Sequence, residues 1–129
     1  MGVRTRTLDM IAAIRREAAD RAKRDEAVRV VERWNTAIAA GEDIWWSPTI
    51  RAAIVAGMPW CDVHCPGCRT NRSFDLRTVD RHPLASVGAL VIGLRCAWCP
   101  GSAPMPKITG LYAAPLSAFT TDTLSADGA

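Results

Sequence analysis

The chain is 129 residues long, 49% hydrophobic and 22% charged, with a formal net charge of +3. That is the size of one compact domain, or of a small domain with an appended element, and a composition that folds rather than stays disordered. The start, MGVRTRTLDMIAAIRREAAD, mixes charge with apolar residues every few positions and offers no secretory signal, and the most apolar uncharged run, Pro83 to Leu94, is far shorter than the roughly 20 residues that span a bilayer.

From Leu8 to Ala40 there is neither proline nor glycine, and apolar or small residues recur at Leu8, Ile11, Ile14, Ala18 and Ala22, then at Ala27, Val31, Trp34 and Ile38. Gaps of three and four are helical, so the spacing predicts a long helix over about residues 8–40. Thr7 is the candidate N-cap, Asp9 meets the positive helix end, and Gly41 is the terminator. The middle, ADRAKRDEAVR, lacks large apolar anchors and reads as solvated or hinged. Ser47 followed by Pro48 resembles an N-cap with proline at the first helical position, and Gly57 closes a short second helix over about residues 48–56.

After Gly57 the pattern changes. PWCDVH, RSFDLRTVD, GALVIGLR and KITGLYA are short, bounded by Pro, Gly, Asn or Asp, and partly alternating, so they read as strands. The division expected is a helical segment over 1–57, a strand-rich domain over 58–115 and a flexible tail over 116–129. The fold class is α+β, an N-terminal helical segment followed by a small three-stranded antiparallel ribbon.

The chemistry is concentrated in two CxxC pairs, Cys65 with Cys68 and Cys96 with Cys99. In a chain without an export signal this spacing favours metal ligation in a reducing compartment, the cytoplasm by default, over a disulfide framework. Zinc takes a tetrahedral shell of thiolates, and a CxxC turn presents two sulfurs from one tight loop, so two turns complete one structural Zn2+ site. The 27 residues between Cys68 and Cys96 leave room for a strand, a loop and a returning strand. A thioredoxin-like reading fails because RTNRSFDLRTVD after Cys68 is not a helix start and the second pair would go unexplained. A rubredoxin-like electron carrier uses the same ligand set, but between Arg69 and Arg95 the aromatic content is Phe74 alone. Cys61 and His64 crowd the first pair; Cys61 reads as a buried small hydrophobe and His64 as a neighbour rather than a ligand.

The run CPGC, then DLRTVDRHPLASVGALVIGLRCAWCPG, then PKITGLYA resembles the small uncharacterised zinc-ribbon proteins found in many bacteria. The resemblance covers roughly Trp60 to Ala114 and rests on Asp75, Leu76, Arg77, His82, Pro83 and Leu84 beside the four paired cysteines; Cys61 falls outside it. It implies a fold and a metal and carries no mechanism.

No catalytic set assembles: there is no GxSxG, HExxH or P-loop, and no HxE precedes the second cysteine pair, so no enzyme is expected. Trp34, Trp45 and Trp46 read as core or helix-docking residues, and Trp60 as a cover over the metal. Residues 51–107 hold seven cations against three carboxylates. Arg69, Arg72, Arg77, Arg81 and Arg95, with Trp98 as a stacking surface, form a candidate DNA or RNA contact, which makes a nucleic-acid-binding adaptor or regulator the leading expectation. The alternative is a protein-interaction module in which the long helix meets a partner or its own copy through Ile11, Ile14, Val31, Trp34 and Ile38. An apolar helix face left uncovered by the ribbon would favour that alternative.

Overall fold

A computed structural model describes residues 2–93, 96, 99 and 105–116. It is α+β: a 38-residue helix α1 (Gly2–Ala39), a short helix α2 (Ile50–Val55), strands β1 (Trp60–His64) and β2 (Asn71–Asp75), a one-turn helix α3 (Val87–Leu90) and a last strand β3 (Lys107–Tyr112). The strands form one antiparallel sheet in the order β2-β1-β3. No helix among the described residues is long and apolar enough to cross a membrane.

The long helix starts earlier than its sequence signals. Nothing between Gly2 and Thr7 breaks a helix, so the chain winds through Thr7, which lies inside α1 rather than capping it. At the other end Gly41, at φ 72°, turns the chain left-handed, and the N–H groups of Gly41 and Glu42 donate to the carbonyls of Ile38 and Ala37. Gly57, at φ 75°, ends α2 in the same way, with Gly57 and Met58 donating to Ile54 and Ala53. The cap of α2 is Thr49, whose hydroxyl accepts from Ala52 N at 3.0 Å. Ser47, the expected cap, is used elsewhere: its Oγ accepts from Gly88 N at 2.8 Å and so joins the α1–α2 connection to α3.

The stretch ADRAKRDEAVR is continuous helix, not a hinge. What changes there is the face. The step from Ala22 to Ala27 is five residues, so at 3.6 residues per turn the stripe Leu8-Ile11-Ile14-Ala18-Ala22 lies about 170° around the helix from Ala27-Val31-Trp34-Ile38. The second stripe is packed: Ala27, Val31 and Trp34 are buried in one core with Ile50 and Ala53 of α2, Ala56 at its C-cap, and Cys61, Val63 and Leu111 of the sheet. The first is not, and residues 4–26 are exposed throughout.

Two polar clamps fix the packed half of α1. Trp34 Nε1 donates to the Trp46 carbonyl at 3.1 Å. Asn35 donates from Nδ2 to the Leu111 carbonyl at 2.8 Å and accepts from Leu111 N at 2.9 Å, taking the place of a neighbouring strand on the outer edge of β3. Within the sheet, the buried carboxylate of Asp62 accepts from Ser73 Oγ at 3.1 Å and from Thr109 Oγ1. Thr109 reaches it from the register irregularity at Asp62/Val63.

Two expected strands differ. RSFDLRTVD is strand only to Asp75, whose side chain then caps a 3₁₀ turn at Leu76–Thr78. GALVIGLR is helical in its described part: Ser86 caps α3 by accepting from Ala89 N at 3.1 Å, and a 3₁₀ turn follows at Val91–Gly93. Val87, Leu90 and Val91 are buried at helical spacing, so an unbroken apolar run satisfied the helix period as well as the strand period. Gly88 lets this turn approach Ser47, whose Cβ would lie 3.2 Å from any Cβ placed there. The expected tail falls, beyond Leu116, outside the described residues.

Candidate metal centre

The first cysteine pair sits on the loop that joins β1 to β2. His64 pairs with Asn71 across the hairpin, Cys65 N donates to the Thr70 carbonyl at 2.9 Å, and Arg69 N donates to the Cys65 carbonyl at 2.7 Å. Closing so short a loop puts Arg69 at φ 60°, the left-handed region that favours glycine. Cys65 is buried and Cys68 exposed.

The second pair comes from the segment that follows α3 and its 3₁₀ turn, and meets the first. The four sulfurs of Cys65, Cys68, Cys96 and Cys99 all lie within 4.8 Å of one another. Cys65 Sγ is 3.5 Å from Cys99 Sγ, and Cys68 Sγ is 3.6 Å from Cys96 Sγ. A tetrahedral ion with metal–sulfur bonds of about 2.3 Å needs sulfurs about 3.8 Å apart, whereas a disulfide needs about 2.05 Å. The cysteines are free, and their spacing is that of four ligands around one ion.

The local electrostatics favour thiolates on the first loop. The Thr70 hydroxyl, 3.0 Å from Cys68 Sγ, leads the causes that bring Cys68 down to about 6. Cys65 is also lowered, chiefly by the backbone N–H of Cys68. Cys99, sharing a hydrogen bond with Cys65, is pushed up to about 12. Crowded sulfurs thus divide between those that shed a proton and one that keeps it, and a cation among them removes the conflict.

Neither neighbour joins the cluster. Cys61, on the central strand β1, is fully buried in the core, where desolvation first and Asp62 second push its thiol up to about 12. His64 places Nδ1 2.5 Å from Asn71 Oδ1. His82 is a loop residue whose Nδ1 accepts from Leu84 N. Trp60 does not cover the centre: it opens β1 opposite Tyr112 and Asp75, at the far end of the strand from the cysteine loop.

The candidate nucleic-acid residues differ in exposure and pairing. Arg69 is exposed on the cysteine loop and Arg81 in the loop before Pro83, whereas Arg72 is partly buried on β2. Arg77 is held by Asp75, with Nε 2.9 Å from Oδ1 and Nη2 2.8 Å from Oδ2, so its charge is locally compensated. Arg95 and Trp98 lie outside the described residues.

The tryptophans also divide. Trp34 is core, Trp46 is half-buried under the Arg33 guanidinium at 5.5 Å, and Trp45 is 93% exposed instead of docked. An open groove of about 710 Å³ runs past them between the end of α1 and α3, its ionisable lining groups being Glu42 and Lys107. Comparison with family models, with curated proteins and with solved structures found no match.

Proposed function

We propose that the chain is a non-enzymatic interaction module: a head held by one structural Zn2+ on Cys65, Cys68, Cys96 and Cys99 carries α1 as a projecting arm, and the free face of that arm takes a protein partner. The zinc assignment is supported by the sulfur spacing, by a closed four-thiolate shell with no position left for water, and by the resemblance to small bacterial zinc-ribbon proteins. A reducing, cytoplasmic setting suits four free thiols.

The observation that carries the interaction reading is the exposed apolar stripe of α1. Leu8 is 64%, Ile11 40% and Ile14 61% exposed on a helix face turned away from the core, whereas Val31 and Trp34, expected on the same partner face, are buried within the head. A long helix gains most of its stability from packing, and in this half every residue from 4 to 26 is exposed, with no packing partner among the described residues. Nucleic-acid binding is the second reading. It is favoured by Arg69, an arginine held exposed in a backbone conformation that glycine would occupy with less strain.

Metal analysis of the purified protein should give one zinc per chain and a colourless solution; visible iron–thiolate absorption would replace zinc with iron. Crosslinking in the source cells should join a protein partner to residues 4–22, and Leu8→Glu with Ile11→Glu should remove that product and leave zinc content unchanged. Crosslinks confined to the cysteine loop would overturn the arm as the docking element. Salt-dependent binding of DNA or RNA that Arg69→Ala weakens would select the second reading.

A further inference from the structure

We infer that the uncovered face of α1 is a homotypic interface, on which a second copy of this chain packs antiparallel. This rests on the interaction reading above and names its partner.

Size and charge along the face both point to that occupant. The large residues Leu8, Ile11 and Ile14 lie toward the N-terminus and the small ones Ala18 and Ala22 toward the head. Antiparallel overlap sets large on small, the arrangement in which facing helix surfaces interdigitate. From residue 4 to 16 the arm carries Arg4, Arg6, Arg15 and Arg16 against Asp9 alone; from 17 to 26 it carries Glu17, Asp20, Asp25 and Glu26 against Arg21, Lys23 and Arg24. Reversing one copy brings the basic half over the half with a slight acidic excess, with Arg4, on the apolar face, opposite Asp25 and Glu26. Parallel pairing sets Arg4 on Arg4 and Asp25 on Asp25, like charge on like, and reversal relieves both; Arg15, at the midpoint of the overlap, meets its own copy in either direction.

The heads do not obstruct this pairing. The free stripe is turned about 170° from the one packed on the head, so two arms overlap along residues 4–26 while each head stays on the outer side at its own end. The overlap is about 34 Å of helix and buries on the order of 1,000 Å², the low end of specific interfaces, so the dimer is a reversible one with a dissociation constant in the micromolar range or above.

Sedimentation of the full-length, metal-loaded protein over a concentration series tests the pairing. A monomer–dimer equilibrium is expected, and Leu8→Glu with Ile11→Glu, both exposed and so harmless to the fold, should weaken it by about a hundredfold or more without changing zinc content. Arg4→Glu should also weaken it, and adding Glu26→Arg should restore it; a dimer that Arg4→Glu leaves unweakened is the result for parallel pairing, where glutamate would face glutamate as arginine faced arginine, and overturns the inference. A photo-crosslinking residue at position 11, in a mixture of isotopically light and heavy chains, should label residues 18–22 of the other copy; labels at 8–15 again mean a parallel pair. A monomer at millimolar concentration, or a dimer indifferent to the Leu8 and Ile11 changes, overturns self-pairing. A monomeric protein whose arm is still crosslinked to another protein in cells leaves the interaction reading standing, whereas loss of both removes the two together.

Discussion

At the scale of single residues, Arg69 and Cys61 depart from what local chemistry prefers. A non-glycine residue in the left-handed region costs about 1–2 kcal/mol, less what glycine gives up in unfolded-state entropy. Arg69→Gly should therefore stabilise the head by about 0.5–1 kcal/mol in urea unfolding, with metal content unchanged. The same variant reports on the second functional reading, because a phosphate-contacting Arg69 would give higher stability and a shallower salt dependence of nucleic-acid affinity at once. Cys61 titrates in the opposite sense from the cysteine loop. Its folded pKa is raised to about 12, above the ordinary thiol value of about 8.5, so its contribution is full below that ordinary value and is lost as pH rises through the range between them. At pH 10 the loss is about 2 kcal/mol. Cys61→Ala should keep one zinc per chain, lower stability at pH 7 by about 1 kcal/mol, and remove that share of the alkaline decline, read as urea midpoints across pH 8–10.

At the scale of elements, Asn35 decides how the helix meets the sheet. Its amide makes two hydrogen bonds to the backbone of Leu111, on an edge of β3 that has no neighbouring strand among the described residues. Asn35→Ala should cost about 1–3 kcal/mol, and Asn35→Leu, which keeps the branched shape without the polar atoms, should cost at least as much if the hydrogen bonds rather than the packing hold the edge. Nothing in the sequence announces this residue, because an asparagine one position after a buried Trp34 looks like any half-exposed helix position. Other elements were legible to different depths. Gly41 and Gly57 mark helix ends because only their backbones turn left-handed at no cost, and CxxC spacing marks the metal loop because ligand geometry is local. GALVIGLR was ambiguous because its apolar run fits both periods, and the deciding residue was the capping Ser86 just outside it. The five-residue step from Ala22 to Ala27 was also visible, but a change of helix face looks the same as a weak stretch until the core shows which stripe it uses.

At the scale of the whole molecule, the head has a small core and depends on the four sulfurs to tie the segment after α3 to the β1–β2 loop. Structural zinc in modules of this size contributes about 10–16 kcal/mol in apparent terms, more than the net stability of most small domains. Chelation should therefore unfold the head, read as loss of the near-ultraviolet signal of the packed Trp34 and Trp46, and Cys65→Ser should do the same without chelator. Acid should act by the same route. Cys68 and Cys65 have folded pKa values below the ordinary thiol value, so the stability they contribute is present above that value and is lost as pH falls through their folded ones, about 6 for Cys68 before any cation lowers it further. Metal release measured with a colorimetric zinc indicator should accordingly begin below about pH 6 and coincide with the tryptophan transition. A head that keeps its tertiary signal after the metal has gone would mean that the apolar core alone holds the fold, and that the four cysteines serve a purpose other than structure.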